Sequence, residues 1–237
     1  MRHGNQSSDG SATPPLPEAV QLPWGPANWE SWTPQVLASK LAGIEARWCV
    51  VGGWALDLFT GVVHREHSDL EIIVPRQTFP LFRERLGDEL IFYVTGAEGQ
   101  WPIDTAGTAY DKYQQTFARD ASTGKFIVDV MRVADSGVWE LATHPEIVRP
   151  WEESIQFTGT GVPYLRPEQV LIYKALGINN EDPRLKDAGD FLYVLPFLEP
   201  HGRKWLAHTL ASLRPEHPWL RAIDLVRTVS EGQVPPR

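Results

Sequence analysis

The run from Gly52 to Ile72, GGWALDLFTGVVHREHSDLEI, joins a glycine pair, a short apolar helix pattern and a basic loop to a strand that opens with two acids. That strand, DLEIIV, is otherwise apolar through Ile72, Ile73 and Val74, so Asp69 and Glu71 need a reason to be there. Side chains alternate along a strand, which sends Asp69 and Glu71 to one face and Leu70 and Ile72 to the other. Two ionised carboxylates held side by side repel, and a cation between them relieves the cost. Donors that are all oxygen select a hard ion, Mg²⁺ first and Mn²⁺ second. In FIVDVM, Asp129 is another lone acid among apolar neighbours, on a strand able to pair beside the first. Three such acids could complete a site for two ions that clamp a phosphoryl group. Taken one at a time, Asp69 could cap a turn, Glu71 could sit at a solvated edge and Asp129 could pair with an arginine. Their joint occurrence downstream of a glycine pair weighs against that.

Gly52 and Gly53 follow the apolar run RWCVV and open a helix pattern, so the backbone can turn sharply there and present N–H groups beside a positive helix end. A phosphate fits such a place, although glycines after a strand often serve the turn alone. Neither a Walker loop nor the G-x-G-x-x-G dinucleotide fingerprint is present.

The order of patterns indicates a mixed α/β protein. TPQVLASKLAGIEA has a capping Thr33, a proline at the first helical position and a stripe of Val36, Leu37, Leu41 and Ile44. Strands are expected in RWCVV, DLEIIV and LIFYV, with helices in WALDLF and from about Thr78 to Leu86. Residues 96–109 read as turn-like, and KYQQTFA and GKFIVDVMRV as two strands of a hairpin, which makes the sheet mixed. Beyond Pro150 the patterns turn helical: RPEQVLIYKALG, DPRLKDAGDFLYVLPFL interrupted by Pro196, RKWLAHTLASL and PWLRAIDLVRTV. The expected organisation is a mobile Ser/Gly/Pro-rich tail over 1–27, an α/β domain over 28–162 and a helical domain over 163–237. A formal net charge of −8 and the lack of any Lys/Arg run speak against a sequence-independent grip on nucleic acid. The lone cysteine, Cys49, reads as a buried thiol, and with no apolar run long enough to span a membrane and no signal-peptide core the expectation is a cytoplasmic protein.

The segments VVGGWALDLFTG, REHSDLEI, FARDASTGKFIVDVM, GVPYLRPEQVLIYKA and RLKDAGDF together resemble the aminoglycoside nucleotidyltransferase-like group of the polymerase beta-like nucleotidyltransferases. The likeness runs from about Trp48 to Phe191. It implies a nucleotidyltransferase fold with a mixed sheet flanked by helices plus a C-terminal helical domain. It further implies that Asp69 and Glu71 bind catalytic Mg²⁺, with Asp129 as the third carboxylate and two ions expected. Gly52 and Gly53 would hold the triphosphate of ATP as co-substrate. Many relatives carry Ser where Gly53 stands, which turns attention to Ser68 for a hydroxyl contact. The implied reaction moves AMP to a hydroxyl of a small molecule and releases pyrophosphate, with an aminoglycoside-type antibiotic among the acceptors and Asp129 the candidate proton acceptor. The acceptor itself, the preferred base and the oligomeric state are not fixed by the sequence.

Lys174 lies on the stripe Leu171, Lys174, Ala175, Ile178 and matches a lysine that the family directs at ATP phosphates; Arg65 and Arg119 are nucleotide-binding candidates that could equally form surface ion pairs. Asp187 and Asp190, spaced i, i+3, read as a solvated helix face, with contact to a cationic substrate as the alternative. A non-catalytic nucleotide-binding module is disfavoured by the presence of all three carboxylates, and two further functions stand beside the transferase. One is a toxin-like enzyme of the same fold that modifies a protein or tRNA. The other is an Fe(II) oxygenase built on His67-Ser68-Asp69 as H-x-D with His144 or His201 as the distant ligand, which would need an all-β fold. Otherwise His67 orders the loop ahead of Asp69.

Overall fold

The structure is a computed structural model that describes residues 14–134, 136–177 and 184–230. Helix α1 (Pro34–Lys40) starts as its sequence predicts, with the Thr33 hydroxyl accepting from the Val36 N–H. Leu37 and Leu41 are buried, whereas Val36 is exposed. Strand β1 (Cys49–Val50) leads straight into α2 (Gly52–Thr60), which ends at a left-handed Gly61. Strand β2 (Glu71–Pro75), helix α3 (Phe79–Leu86) and strand β3 (Leu90–Gly96) follow in the expected order. Next come β4 (Gly99–Pro102), α4 (Thr108–Lys112), and the hairpin of β5 (Gln115–Asp120) and β6 (Phe126–Val133).

Strands β7 (Val138–Leu141) and β8 (His144–Pro150) make a separate ribbon, followed by α5 (Trp151–Ser154), β9 (Ile155–Phe157) and β10 (Pro163–Leu165). Helices α6 (Pro167–Leu176), α7 (Leu185–Val194), α8 (Pro200–Leu213) and α9 (Trp219–Ser230) complete the described chain, with a 3-10 turn at Pro196 where the sequence breaks α7. Ile178 lies outside the described residues.

The main sheet has the order β4-β3-β5-β6-β2-β1-β10-β9 and is mixed, as expected: β2 with β6 and β1 with β10 are parallel, the other pairs antiparallel. Its core is Leu, Ile, Val and Phe, joined by Phe191, Leu206 and Leu210 from the C-terminal helices, so α6 to α9 share one apolar core with the sheet. Cys49 is fully buried there as a free thiol, and burial pushes its pKa up to about 12. Among the described residues, no helix is long and apolar enough to cross a membrane.

Three expectations need correction. The chain does not turn helical directly after Pro150, because β9 and β10 add two strands to the main sheet beside β1. Residues 96–109 are not merely turns, because β4 pairs antiparallel with β3 as the edge of the sheet. The segment 14–27, expected as part of a mobile tail, is held along that edge. Val20 bridges Gln100, the Trp101 indole N–H donates to the Pro17 carbonyl at 2.8 Å, and Leu16 and Ala19 cover Val94, Trp101, Ala106 and Ala109. The docking is apolar and pairs a sheet edge, so a composition rich in Pro and Ser gives no hint of it.

Arg132 fastens the connection between β4 and β5. It is fully buried, stands 3.8 Å from the centre of the Tyr110 ring, and donates to Thr116 Oγ1 at 2.7 Å and to the Tyr110 and Tyr113 carbonyls at 3.0 and 2.5 Å. Arg132→Met leaves those acceptors without their donor. It is expected to cost about 3 kcal/mol and to lower the melting temperature by roughly 6–12 °C in a thermal denaturation scan.

Candidate active site

Strand pairing sets the three acids together. Glu71 and Asp129 are register partners on the parallel strands β2 and β6, and the Asp129 N–H donates to the Leu70 carbonyl at 2.8 Å. Asp69 lies just before β2 rather than in it, yet the alternation holds: Leu70 and Ile72 are fully buried, while Asp69 and Glu71 are half-buried on the other side. Asp129 is 5% exposed; its Oδ2 accepts from Gln115 Nε2 at 2.7 Å and its Oδ1 is buried with no hydrogen-bond partner. Burial raises the Asp129 pKa well above the ordinary carboxylate value, the charges of Glu71 and Asp69 push the same way, and Gln115 opposes them. Glu71 is raised too, first by burial and then by Asp69, against the cations Lys174, Lys186 and Arg184.

The glycine pair closes on this group. Gly52 opens α2 with φ +63°, where a side chain is strained, and a Cβ there would fall on the Glu71 carboxylate. The Val51 N–H donates to the Glu71 carbonyl at 2.9 Å. The N-terminal end of α2 therefore lies against an acid with space for backbone only, which is how a helix end receives an anion. A Cβ on Gly53 would come within 2.5 Å of Arg65 and 2.7 Å of His67, so glycine is needed there for a different reason.

The other candidates fall into two groups. Ser68 is exposed and donates to Asp69 Oδ1 at 3.0 Å, beside the acids. Arg65, by contrast, grips Asp190 with Nε and Nη2 at 2.7 and 2.8 Å, and Lys174 reaches both Asp187 and Asp190 at 2.8 Å. Arg119 donates through Nε to the Gly124 carbonyl in the β5–β6 turn, away from the acids. Asp187 and Asp190 are not a solvated face: both are 0–1% exposed, and although burial raises the pKa of Asp190, Arg65 and Lys174 hold it below the ordinary range.

His67 spends its two ring nitrogens on Asp57 Oδ2 and Arg65 Nη1, His144 lies in the β7–β8 ribbon and His201 is exposed on α8. With a mixed α/β sheet as well, the H-x-D oxygenase is ruled out. Gln115, Lys186 and Arg184 join the site without standing out in the sequence. The two cations stand in the RLKDAGDF run, one and three residues before Asp187, which is the signal the sequence offers for them; their pull on Glu71 emerges only in the fold.

Among the described residues, no three His, Cys, Asp or Glu side chains are gathered tightly enough to hold an ion as they stand. The donor chemistry nonetheless suits one. An unpartnered buried carboxylate oxygen, beside two further acids that repel it, is the environment a hard divalent cation relieves.

The sequence profile described as Aminoglycoside-2''-adenylyltransferase matches residues 35–99. A search of curated proteins finds no match. Among solved structures, the antibiotic-resistance factor ANT(2'')-Ia is 15% identical with TM-score 0.48, over 75% of this chain and 89% of that one. The lincosamide antibiotic adenylyltransferase LnuA, lincomycin-bound, is 17% identical with TM-score 0.49, over 70% and 97%. An antigenic nucleotidyltransferase-like protein from Paracoccidioides brasiliensis is 15% identical with TM-score 0.43, over 76% and 86%.

The raised acids set a stability test. A carboxyl with a raised pKa keeps its proton in the folded chain at pH values where the unfolded chain has lost it, so stability falls as pH climbs above the ordinary carboxylate range. Asp129→Asn removes that penalty and is expected to stabilise the metal-free protein at pH 7 by about 1–2 kcal/mol, with the gain vanishing in acid. Thermal melts in chelator at both pH values measure it.

The profile match bears out the resemblance to the aminoglycoside nucleotidyltransferase-like family, over the stretch that holds the glycine turn, the basic loop and the first two carboxylates.

Proposed function

We propose that this chain is a Mg²⁺-dependent nucleotidyltransferase that moves AMP from ATP to a hydroxyl of a small molecule and releases pyrophosphate. The observation that carries this reading is the pairing of Glu71 with Asp129 in register, with Asp129 Oδ1 buried and unpartnered. The profile match over 35–99 supports the same class. Asp69, Glu71 and Asp129 would hold the metal, two ions in the full site; bound there, it neutralises charge on the phosphates and makes the attacking hydroxyl more acidic.

The chain's own groups do the rest. The N–H groups of the Gly52–Gly53 turn receive phosphate oxygens at the start of α2. Because Arg65, Lys174 and Arg184 are each paired to a buried aspartate, the exposed Lys186 is the cation best placed to face a triphosphate beside Glu71. Ser68 offers its hydroxyl from the loop, in place of the serine that Gly53 lacks. The acceptor oxygen bonds to the α-phosphorus, the bond to the pyrophosphate oxygen breaks, and the hydroxyl proton passes to Asp129. An acidic site favours an acceptor that carries amines, and an aminoglycoside is such a molecule.

The test incubates the protein with labelled ATP, Mg²⁺ and a panel of hydroxylated antibiotics, and follows pyrophosphate and adenylylated product. Asp69→Asn and Asp129→Asn should each lower the rate by about 10² or more. Turnover that persists in either variant contradicts the mechanism; label on a protein or tRNA with no small-molecule product points to the toxin-like enzyme instead.

A further inference from the structure

Asp57 is a charged residue that the chemistry above does not use. It sits in the middle of α2 at 3% exposure, among Ala55, Leu56 and other core residues. Its two oxygens face different histidines. Oδ1 accepts from the backbone N–H of His64 at 3.4 Å and meets the His64 ring at Nδ1, and Oδ2 meets His67 Nε2 at 2.6 Å. Both histidines lead on to the same acid: His64 Nε2 lies 2.9 Å from Asp190 Oδ1, and Arg65, 3.2 Å from His67 Nδ1, holds Asp190 at 2.7 and 2.8 Å. The contacts close into a ring, Asp57–His64–Asp190–Arg65–His67 and back to Asp57. Trp54 packs at a tilt over the His67 ring at 4.5 Å and Tyr193 of α7 stacks on His64 at 4.4 Å, which restrains both rings.

The ring bears on the glycine turn through Gly53, whose Cα has Arg65 and His67 directly beneath it, with no space for one more carbon. We propose that Asp57 is a positioning residue: by fixing His67 and Arg65 under Gly53, it sets where the N–H groups of the Gly52–Gly53 turn point, and through Asp190 it ties that turn to α7. The inference rests on the reading of this turn as the phosphate seat. A carboxylate is required for the role. The Nε2–H tautomer of His67 satisfies both its neighbours, donating to Asp57 and accepting from Arg65. An amide at position 57 has one acceptor oxygen: turned toward His67 it sets an N–H against the backbone N–H of His64, and turned toward His64 it sets one against His67 Nε2–H.

The test compares the full chain with Asp57→Asn and with Glu168→Gln, a control that breaks the buried Arg149–Glu168 pair (2.8 Å) elsewhere in the core. Hydrogen exchange is followed in peptides spanning 50–58, and binding of ATP with Mg²⁺ by calorimetry, at a temperature where all three are folded. In Asp57→Asn the turn amides should exchange faster and ATP should bind about tenfold more weakly, whereas Glu168→Gln should lower the melting temperature alone.

His67→Leu should reproduce the Asp57→Asn result, and His67→Gln, whose amide can donate to position 57 and accept from Arg65, should recover much of it; this pair decides the matter if Asp57→Asn does not fold. Turn amides that exchange as in the control, or ATP affinity unchanged in a variant whose parent binds ATP, would overturn the inference. A parent that binds no ATP with Mg²⁺ would defeat the proposed function instead, and the exchange rates would still decide the positioning role.

Discussion

The pairing of β2 with β6 is the constraint on which the rest depends, because it sets Glu71 and Asp129 side by side on a rigid backbone. Mutual repulsion cannot be relieved by moving either strand, since each is hydrogen-bonded along its length within the sheet. Relief comes from charges of the opposite sign. Some are built in: Lys174 on α6, and Arg184 and Lys186 at the start of α7, all act on Glu71. None of them hydrogen-bonds Asp129, which leaves one carboxylate oxygen buried and unpartnered. A structure that tolerates this without a cation holds a standing preference for one.

Two charge systems meet at the glycine turn, and they differ in kind. The acids on the sheet side are incompletely paired. Behind the turn, Asp57, Asp187 and Asp190 are matched by Arg65, Lys174, Arg184 and two histidines, with almost every buried polar atom in a hydrogen bond. Saturated networks of that sort hold elements in place, whereas unsaturated ones bind. The division places Arg65 and Lys174, which look from the sequence like phosphate ligands, within the paired network, while Lys186 is exposed.

Much of this was legible in the residues. The capped start of α1, the glycines bounding α2, the order of helices and strands through β3, the β5–β6 hairpin and the four C-terminal helices follow from patterns within single windows. So do the three acids, because a lone carboxylate in an apolar strand is conspicuous. What escaped depends on partners far along the chain. Strands β4, β9 and β10 are three or four residues long and exist only through pairing. Asp187 and Asp190 have the i, i+3 spacing of a solvent face, and partners brought in by the fold make them core groups: Lys174 for both, and Arg65, 125 residues away, for Asp190. The docked segment 14–27 is held by Trp101 and Gln100 from a strand the sequence did not reveal.

The central claim is that the three acids form a divalent-cation site that works with the nucleotide. Electron paramagnetic resonance of Mn²⁺ titrated into the protein, with and without ATP, tests it most directly. The account predicts bound Mn²⁺ whose affinity rises when ATP is added and falls at least tenfold in Glu71→Gln and in Asp129→Asn. Binding of equal strength in wild type and both variants would contradict it.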